Sequence, residues 1–231
     1  IILISYFCVD YYTMNKKVSV TILVALFLLI GFIVLSDWGT PESKLDKTKV
    51  NESAKNDFGY ILGTTWTNNK DDISSSEISF YVEGLKDTKG FFEDFDILFK
   101  VSDDEPENAK LKVSINVNSI NTDNDIRDKA IMEEDFFYSE KYPTIEFYSK
   151  EIKKVDSLFI SKGLINMMGQ SEELSFSFNY SGIANNKNGS RVTIFDGSLD
   201  IDRTSLGMEH ITSVGDMVSI EFYCELIEAK K

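Results

Sequence analysis

Leu111, Val113, Ile115 and Val117 alternate without a break with Lys112, Ser114, Asn116 and Asn118. A period of two sets the first group on one face of a strand and the second on the other, so one face is buried and one meets water. The pattern recurs along the chain. Ile78, Phe80 and Val82 oppose Ser79, Tyr81 and Glu83, and Phe95, Ile97, Phe99 and Val101 oppose Asp96 and Lys100. Ile145 and Phe147, Leu158 and Ile160, then Leu174, Phe176, Phe178 and Tyr180 continue the buried face, followed by a segment over 192–201. The last strand turns Val218, Ile220, Phe222, Cys224 and Leu226 inward. Gly84 and Gly90 suit a hairpin or bulge, and Asn185 to Gly189 reads as a turn. Short strands separated by turns predict a mainly β fold, an antiparallel up-and-down barrel of about eight strands, with a two-sheet sandwich as the alternative.

One stretch breaks the alternation. After Asn116 come Ser119 and Asn121 to Asn124, whose short polar side chains favour turns and helix caps. The acidic-aromatic run Glu133 to Phe137 is helical in character, Pro143 stops it, and Thr144 to Tyr148 resumes the strand pattern. The reading is strand, helical excursion over Ile126 to Tyr142, strand.

Within that stretch Ser119-Ile120-Asn121-Thr122, Arg127-Asp128, Asp135-Phe136-Phe137 and Tyr142-Pro143-Thr144-Ile145-Glu146-Phe147 follow one another. These four blocks in order resemble the signature of the YceI-like family, lipocalin-like barrels that bind isoprenoid lipids. Asp202 to Met208 resembles the family's Asn/Asp-Arg-x-x-Phe-Gly-Ile, with Leu206 replacing the aromatic, and Val214 to Ile220 resembles the opening of its last strand. The chain departs from the pattern at Ala130-Ile131, where the family usually carries His-Leu, and at Met168 and Glu172, where it carries Arg and Lys. The resemblance covers about Ile73 to Ala229. It implies a lipocalin-like barrel holding an extended isoprenoid chain along its axis.

The N-terminal part has a different character. Met14-Asn15-Lys16-Lys17 looks like a bacterial start with a positive n-region, so residues 1–13 are read as preceding the natural initiator. Val18 to Leu35 carries no charge and is long enough to span a bilayer core. It is expected to be a transmembrane signal anchor, with 1–17 cytoplasmic; cleavage near Val34-Leu35-Ser36 is the alternative. Lys16 and Lys17 before it and Asp37 after it send the remainder outward, to the periplasmic side of a bacterial inner membrane. Residues 36–57 read as a tether, 58–72 as an N-terminal strand or flap, and 73–231 as the barrel.

Composition bounds the function. With 231 residues, 42% of them apolar, the chain can bury one sizeable core. A net charge of -14 and a pI near 4.5 exclude nucleic acid as a partner and disfavour docking of the domain on anionic head groups. Two cysteines build no disulfide framework, and Cys224 reads as a small core residue. His210 is the one histidine and reads as a surface-loop residue, so no metal site is expected. Glu133, Glu134 and Asp135 read as an exposed acidic turn, and Arg127-Asp128 as a structural ion pair.

A barrel of this size either fills with side chains or leaves a slot for one small ligand. The phenylalanine-rich face alone favours a packed core; the family resemblance reverses that choice. The residues expected to line the cavity are Phe80, Val82, Phe95, Ile97, Phe99, Val113, Ile115, Val117, Phe136, Phe137, Ile145, Phe147, Ile160, Phe176, Phe178, Ile220 and Phe222. The function expected is binding of a long isoprenoid lipid or quinone, for carriage or sequestration in the cell envelope, with no catalysis and no other cofactor. An enzyme working on such a lipid, or a structural envelope domain with a filled core, are the alternatives. The partners are the lipid and, through the anchor, the membrane, with a homodimer left open.

Overall fold

The computed structural model describes residues 39–50, 58–103 and 105–229. The expected anchor over Val18–Leu35, the segment before it and residues 36–38 and 51–57 of the expected tether lie outside the described residues. Among the described residues no helix is long and apolar enough to cross a membrane.

Eleven strands are described: β1 (Thr65–Asn68), β2 (Ser76–Gly84), β3 (Thr88–Phe92), β4 (Phe95–Lys100), β5 (Lys110–Asn116), β6 (Ile120–Asn121), β7 (Thr144–Val155), β8 (Leu158–Met167), β9 (Gln170–Asn185), β10 (Arg191–Asp202) and β11 (Val214–Glu228). Their hydrogen-bonded order is β1-β4-β5-β7-β8-β9-β10-β11, and β11 returns to β1, which closes an eight-stranded antiparallel barrel. This is one closed sheet, not a two-sheet sandwich. β11 is long enough to serve two neighbours, pairing Leu226 with Asn68 of β1 and Cys224 with Ser76 of β2; β3 and β6 extend the sheet from β2. Because β1 is part of the wall, the barrel begins before Ile73.

Burial follows the two-residue period closely where the strands are regular. In β4, Phe95, Ile97 and Phe99 are buried while Asp96, Leu98 and Lys100 are exposed. Two bulges reverse the pleat elsewhere. In β7 the register shifts between Ser149 and Glu151, so Lys150 is the extra residue and Ile152 becomes fully buried. The tight turn to β8, with Asp156 at φ 55°, then pairs Lys153 with Ile160 and Ile152 with Ser161. Directly opposed residues share a face, so Leu158 and Ile160 point outward, against the expectation from the sequence, and Phe159, Ile165 and Met167 point in. A second bulge lies between Ile194 and Phe195, where Ser181 is the extra residue and Gly182 takes φ 114°.

The helical excursion is shorter than its pattern suggests. α1 spans only Asp125–Ile131, capped by Asn124, whose side chain accepts from the backbone N–H groups of Ile126 and Arg127. The chain then leaves the helix in tight turns. Phe137 donates to the Ile131 carbonyl at 3.1 Å, Ser139 to that of Met132 at 2.9 Å, and Tyr138 adopts φ 47°.

A 3-10 turn, Phe58–Ile61, seals the end of the barrel remote from α1. The Phe58 ring lies 4.8 Å from Phe159, 5.2 Å from Tyr180 and 6.2 Å from Phe99. Residues 39–50 have no regular structure, yet they are not a loose tether. They run along the outer wall from Gly39, whose carbonyl accepts from Arg127 at 3.3 Å beside α1, past Lys44 on Glu93, to Asp46 bonded to the Ser74 carbonyl and Thr48 bonded to Glu225.

Candidate functional site

An apolar cavity of about 340 Å³ occupies the barrel between the Phe58 plug and α1. Its wall is built strand by strand from inward positions. β2 contributes Ile78, Phe80 and Val82; β4 contributes Ile97 and Phe99; β5 contributes Leu111, Val113 and Ile115; β7 contributes Ile145 and Phe147. The far side comes from Leu174, Phe176 and Phe178 of β9, Phe195 of β10, and Ile220, Phe222, Cys224 and Leu226 of β11. Phe136 and Phe137 reach in from the turns after α1, joined by Leu206 and Met208 from the loop between β10 and β11.

Three of the expected residues lie elsewhere. Phe95 and Val117 are buried in the core but are not part of the cavity wall, and Ile160 faces outward because of the β7 bulge. Residues outside the expected set have local causes of their own. Ile165, Met167 and Phe195 enter the cavity through the two bulges, and Leu206 and Met208 come from a loop with no alternation to read.

Two glycines shape the wall. Gly90 pairs directly with Phe80, and Gly197 with Phe222; a Cβ at either position would overlap the partner's ring. The missing side chains let those rings lie flat across the sheet, so the lumen stays open beside them.

The cavity reaches the surface between the β2–β3 hairpin, α1 and the strand entry of β11. Glu83, Gly84, Lys86, Ala130 and Ser213 line it there and are exposed. Arg127 and Arg203 line the same end, but all three nitrogens of Arg203 and the Nε and Nη2 of Arg127 donate to the protein. Arg203, 3% exposed, gives Nε to the Gly215 carbonyl at 2.8 Å, Nη1 to that of Glu209 at 2.5 Å, and Nη2 to the Val214 carbonyl and the Asp216 carboxylate. Arg127 gives Nε to Thr122 Oγ1 at 2.8 Å and Nη2 to the Thr122 carbonyl at 2.6 Å. Asp128 accepts from the Thr122 N–H and hydroxyl. Arg127 and Asp128 thus clasp Thr122 between them, where the sequence suggested a simple ion pair. Burial holds the Arg127 guanidinium below its usual pKa, with Asp128 and Asp123 opposing the shift.

Inside, the chemistry is sparse. Burial, reinforced by Asp196, pushes the Cys224 thiol up to about 12, so it is a neutral lining group at physiological pH. His210 is exposed and its Nδ1 faces Asp216 at 2.8 Å. Among the described residues no cluster of three or more His, Cys, Asp or Glu could hold a metal. Glu133, Glu134 and Asp135 are exposed outside the cavity.

Residues 69–226 match the family model described as the YceI-like domain. The chain belongs to the YceI-like family. A UPF0312 protein of Photorhabdus laumondii is 35% identical over 80 residues, 35% of this chain and 42% of that protein. Another, from Staphylococcus epidermidis, is 29% identical over 136 residues, 58% of this chain and 77% of that protein. The chain therefore spans less than half the length of the Photorhabdus relative. Among solved structures, Burkholderia cenocepacia BcnA aligns with a TM-score of 0.60 at 20% identity, covering 68% of this chain and 99% of that one. A polyisoprenoid binding domain from Saccharophagus degradans aligns with a TM-score of 0.54 at 12% identity, covering 73% and 99%. At these identities the structural likeness establishes the fold.

Proposed function

We propose that this YceI-like barrel binds a long isoprenoid lipid in its cavity and carries or sequesters it in the cell envelope. The observation that supports this most directly is the cavity itself: about 340 Å³, walled by hydrocarbon, plugged at one end by Phe58 and open beside Lys86 and Ser213. An apolar cavity of about 150 Å³ already stays dry and takes a benzene-sized guest. Each methylene moved from water into such a tube gains about 0.8 kcal/mol. The likeness to a domain described as polyisoprenoid binding points the same way. A binding role without catalysis fits a lumen whose one ionisable side chain below the rim, Cys224, is held neutral.

The lipid's head is proposed to be uncharged, such as a quinone. Every nitrogen of Arg203 is committed to the protein, Arg127 is committed to Thr122 and Gly39, and Met168 and Glu172 stand where the family pattern carries cations. Val18–Leu35 is proposed to anchor the chain in the inner membrane with the barrel on the periplasmic side. Organic extraction of protein purified from its native membrane, followed by mass spectrometry, is the test. An isoprenoid recovered in proportion to protein supports the reading; an empty barrel, or straight-chain fatty acids alone, overturns it. Conversion of the recovered lipid on incubation with the protein overturns the non-catalytic part.

A further inference from the structure

We infer that the cavity entrance faces the bilayer, with Leu85 and Ile126 entering the lipid interface, so that a lipid passes between membrane and barrel without crossing water. Two independent observations converge on one end of the molecule. The first is apolar exposure. Among the described residues the two most exposed large hydrophobic side chains are Leu85, 91% exposed, and Ile126, 76% exposed. Both flank the entrance. Leu85 sits between Gly84 and Lys86, which line it; Ile126 lies four residues before Ala130, which also lines it, so the two share a face of α1. A single exposed leucine is ordinary, but the pair at the mouth of an apolar tube makes one surface with it.

The second observation is where the chain enters the fold. Gly39 is fixed at this same end: its carbonyl accepts from Arg127, a cavity-lining residue, and a Cβ on it would strike Asp123. The uncharged run Val18–Leu35 ends four residues earlier. Four residues of extended chain reach at most about 14 Å, so a bilayer that takes that run lies within about that distance of Gly39, which Arg127 ties to this end. Residues 39–50, which read as a tether, add no reach, because they are bonded along the barrel wall from Gly39 to Thr48.

The charges say which kind of lipid surface is met. On the hairpin Glu83 and Asp87 balance Lys86 and Lys89, and on α1 Asp125 and Asp128 balance Arg127 and Lys129. A balanced rim on a domain of an acidic chain gains nothing from anionic head groups, so contact is by apolar insertion and needs only a zwitterionic surface.

The inference rests on the proposed anchor, and the experiment separates the two. The full chain, carrying Cys8→Ser so that buried Cys224 is the one native thiol left, is reconstituted into phosphatidylcholine vesicles with a nitroxide on the acyl chain. A fluorophore is placed by Leu85→Cys, by Ile126→Cys, or by Lys187→Cys at the plugged end. Loss of fluorescence at positions 85 and 126 with none at 187 is the expected result. Vesicle association with quenching at 187 instead, or at none of the three, overturns the orientation while leaving the anchor standing. Quenching at none together with disulfide cross-linking between two unlabelled Leu85→Cys chains also overturns it and assigns the surface to a second copy. Failure to float with vesicles after a carbonate wash overturns the anchor and the orientation together. Lipid recovery from the same samples reports on the cavity independently of all these outcomes.

Discussion

Thr48 holds both oxygens of the Glu225 carboxylate. Its backbone N–H donates to Oε1 at 2.6 Å and its hydroxyl to Oε2 at 2.8 Å, while the Tyr223 hydroxyl adds a bond to Oε1 at 2.9 Å. Glu225 is on the outward face of β11, yet it is 2% exposed. An outward carboxylate is buried here because residues 39–50 cover it. Those residues belong to the barrel energetically.

Replacing Glu225 by Gln puts an amide N–H among donors that need an acceptor, and a buried mismatch of this kind costs about 1–3 kcal/mol. Thr48→Val removes the hydroxyl bond alone and should cost about 1 kcal/mol by the same reasoning. Denaturant unfolding of the two variants measures both. Equal stability of Glu225→Gln and the parent would show that the second carboxylate oxygen contributes nothing to holding residues 39–50.

A second expectation concerns the direction of side chains in β8 and β9. Phe176 lines the cavity and contacts the rings of Phe147 and Phe222, whereas Ser177 is exposed and pairs with Ile160. Phe176→Asp should abolish lipid recovery or folding, because an unpaired charge in a dry tube costs several kcal/mol. Ser177→Asp and Ile160→Asp should both leave lipid recovery unchanged. Damage from Ile160→Asp matching that from Phe176→Asp would mean that Ile160 faces the cavity.

Much of this was legible in advance, and the failures have local causes. β4, β5 and the part of β11 from Val218 onward alternate without interruption, so their inward residues follow from the period alone. Ile160 does not, because its direction depends on a single extra residue, Lys150, that carries no glycine or proline to mark it. Phe136 and Phe137 are adjacent, and on a continuing helix they would point apart by about 100°. The turn that brings both inward uses Tyr138 at φ 47°, a conformation few would assign to tyrosine. Residues 39–50 read as a linker because their composition is polar. The partner that fixes them, Glu225, is 177 residues from Thr48.

Cys224 gives a prediction in pH. The folded barrel holds its proton to about 12, against an ordinary thiol value of 9.0. Between those values the unfolded chain has lost the proton and the folded chain has kept it, so stability falls as pH rises. The contribution is whole below pH 9.0 and is lost progressively towards about 12. Tyr223, also raised by burial and by Glu225, adds a loss of the same sign above pH 10.0. Alkaline unfolding should therefore shift to higher pH in Cys224→Ala and in Tyr223→Phe. Thiol reagents should label native Cys224 only after unfolding; fast labelling of the folded protein would contradict its burial.

The head group can be decided by salt. A diphosphate at the entrance would need cations or backbone donors directed at it, and neutralising it would make affinity fall steeply as ionic strength rises. The two arginines at this end bond Thr122, Gly39, the Asp216 carboxylate and the carbonyls of Glu209, Val214 and Gly215, and Glu172 is exposed at the rim on the inward register of β9, opposite Ile165. A quinone oxygen needs one or two hydrogen-bond donors of the kind that Ser213 or Thr88 can supply. Titration of the delipidated barrel should therefore show tighter binding of an isoprenoid quinone than of the prenyl diphosphate of matching length. The quinone affinity should change little between low and high salt. A diphosphate that binds more tightly, with affinity collapsing as salt is added, would mean that the guanidinium of Arg127 or Arg203 turns from its backbone partners towards the ligand.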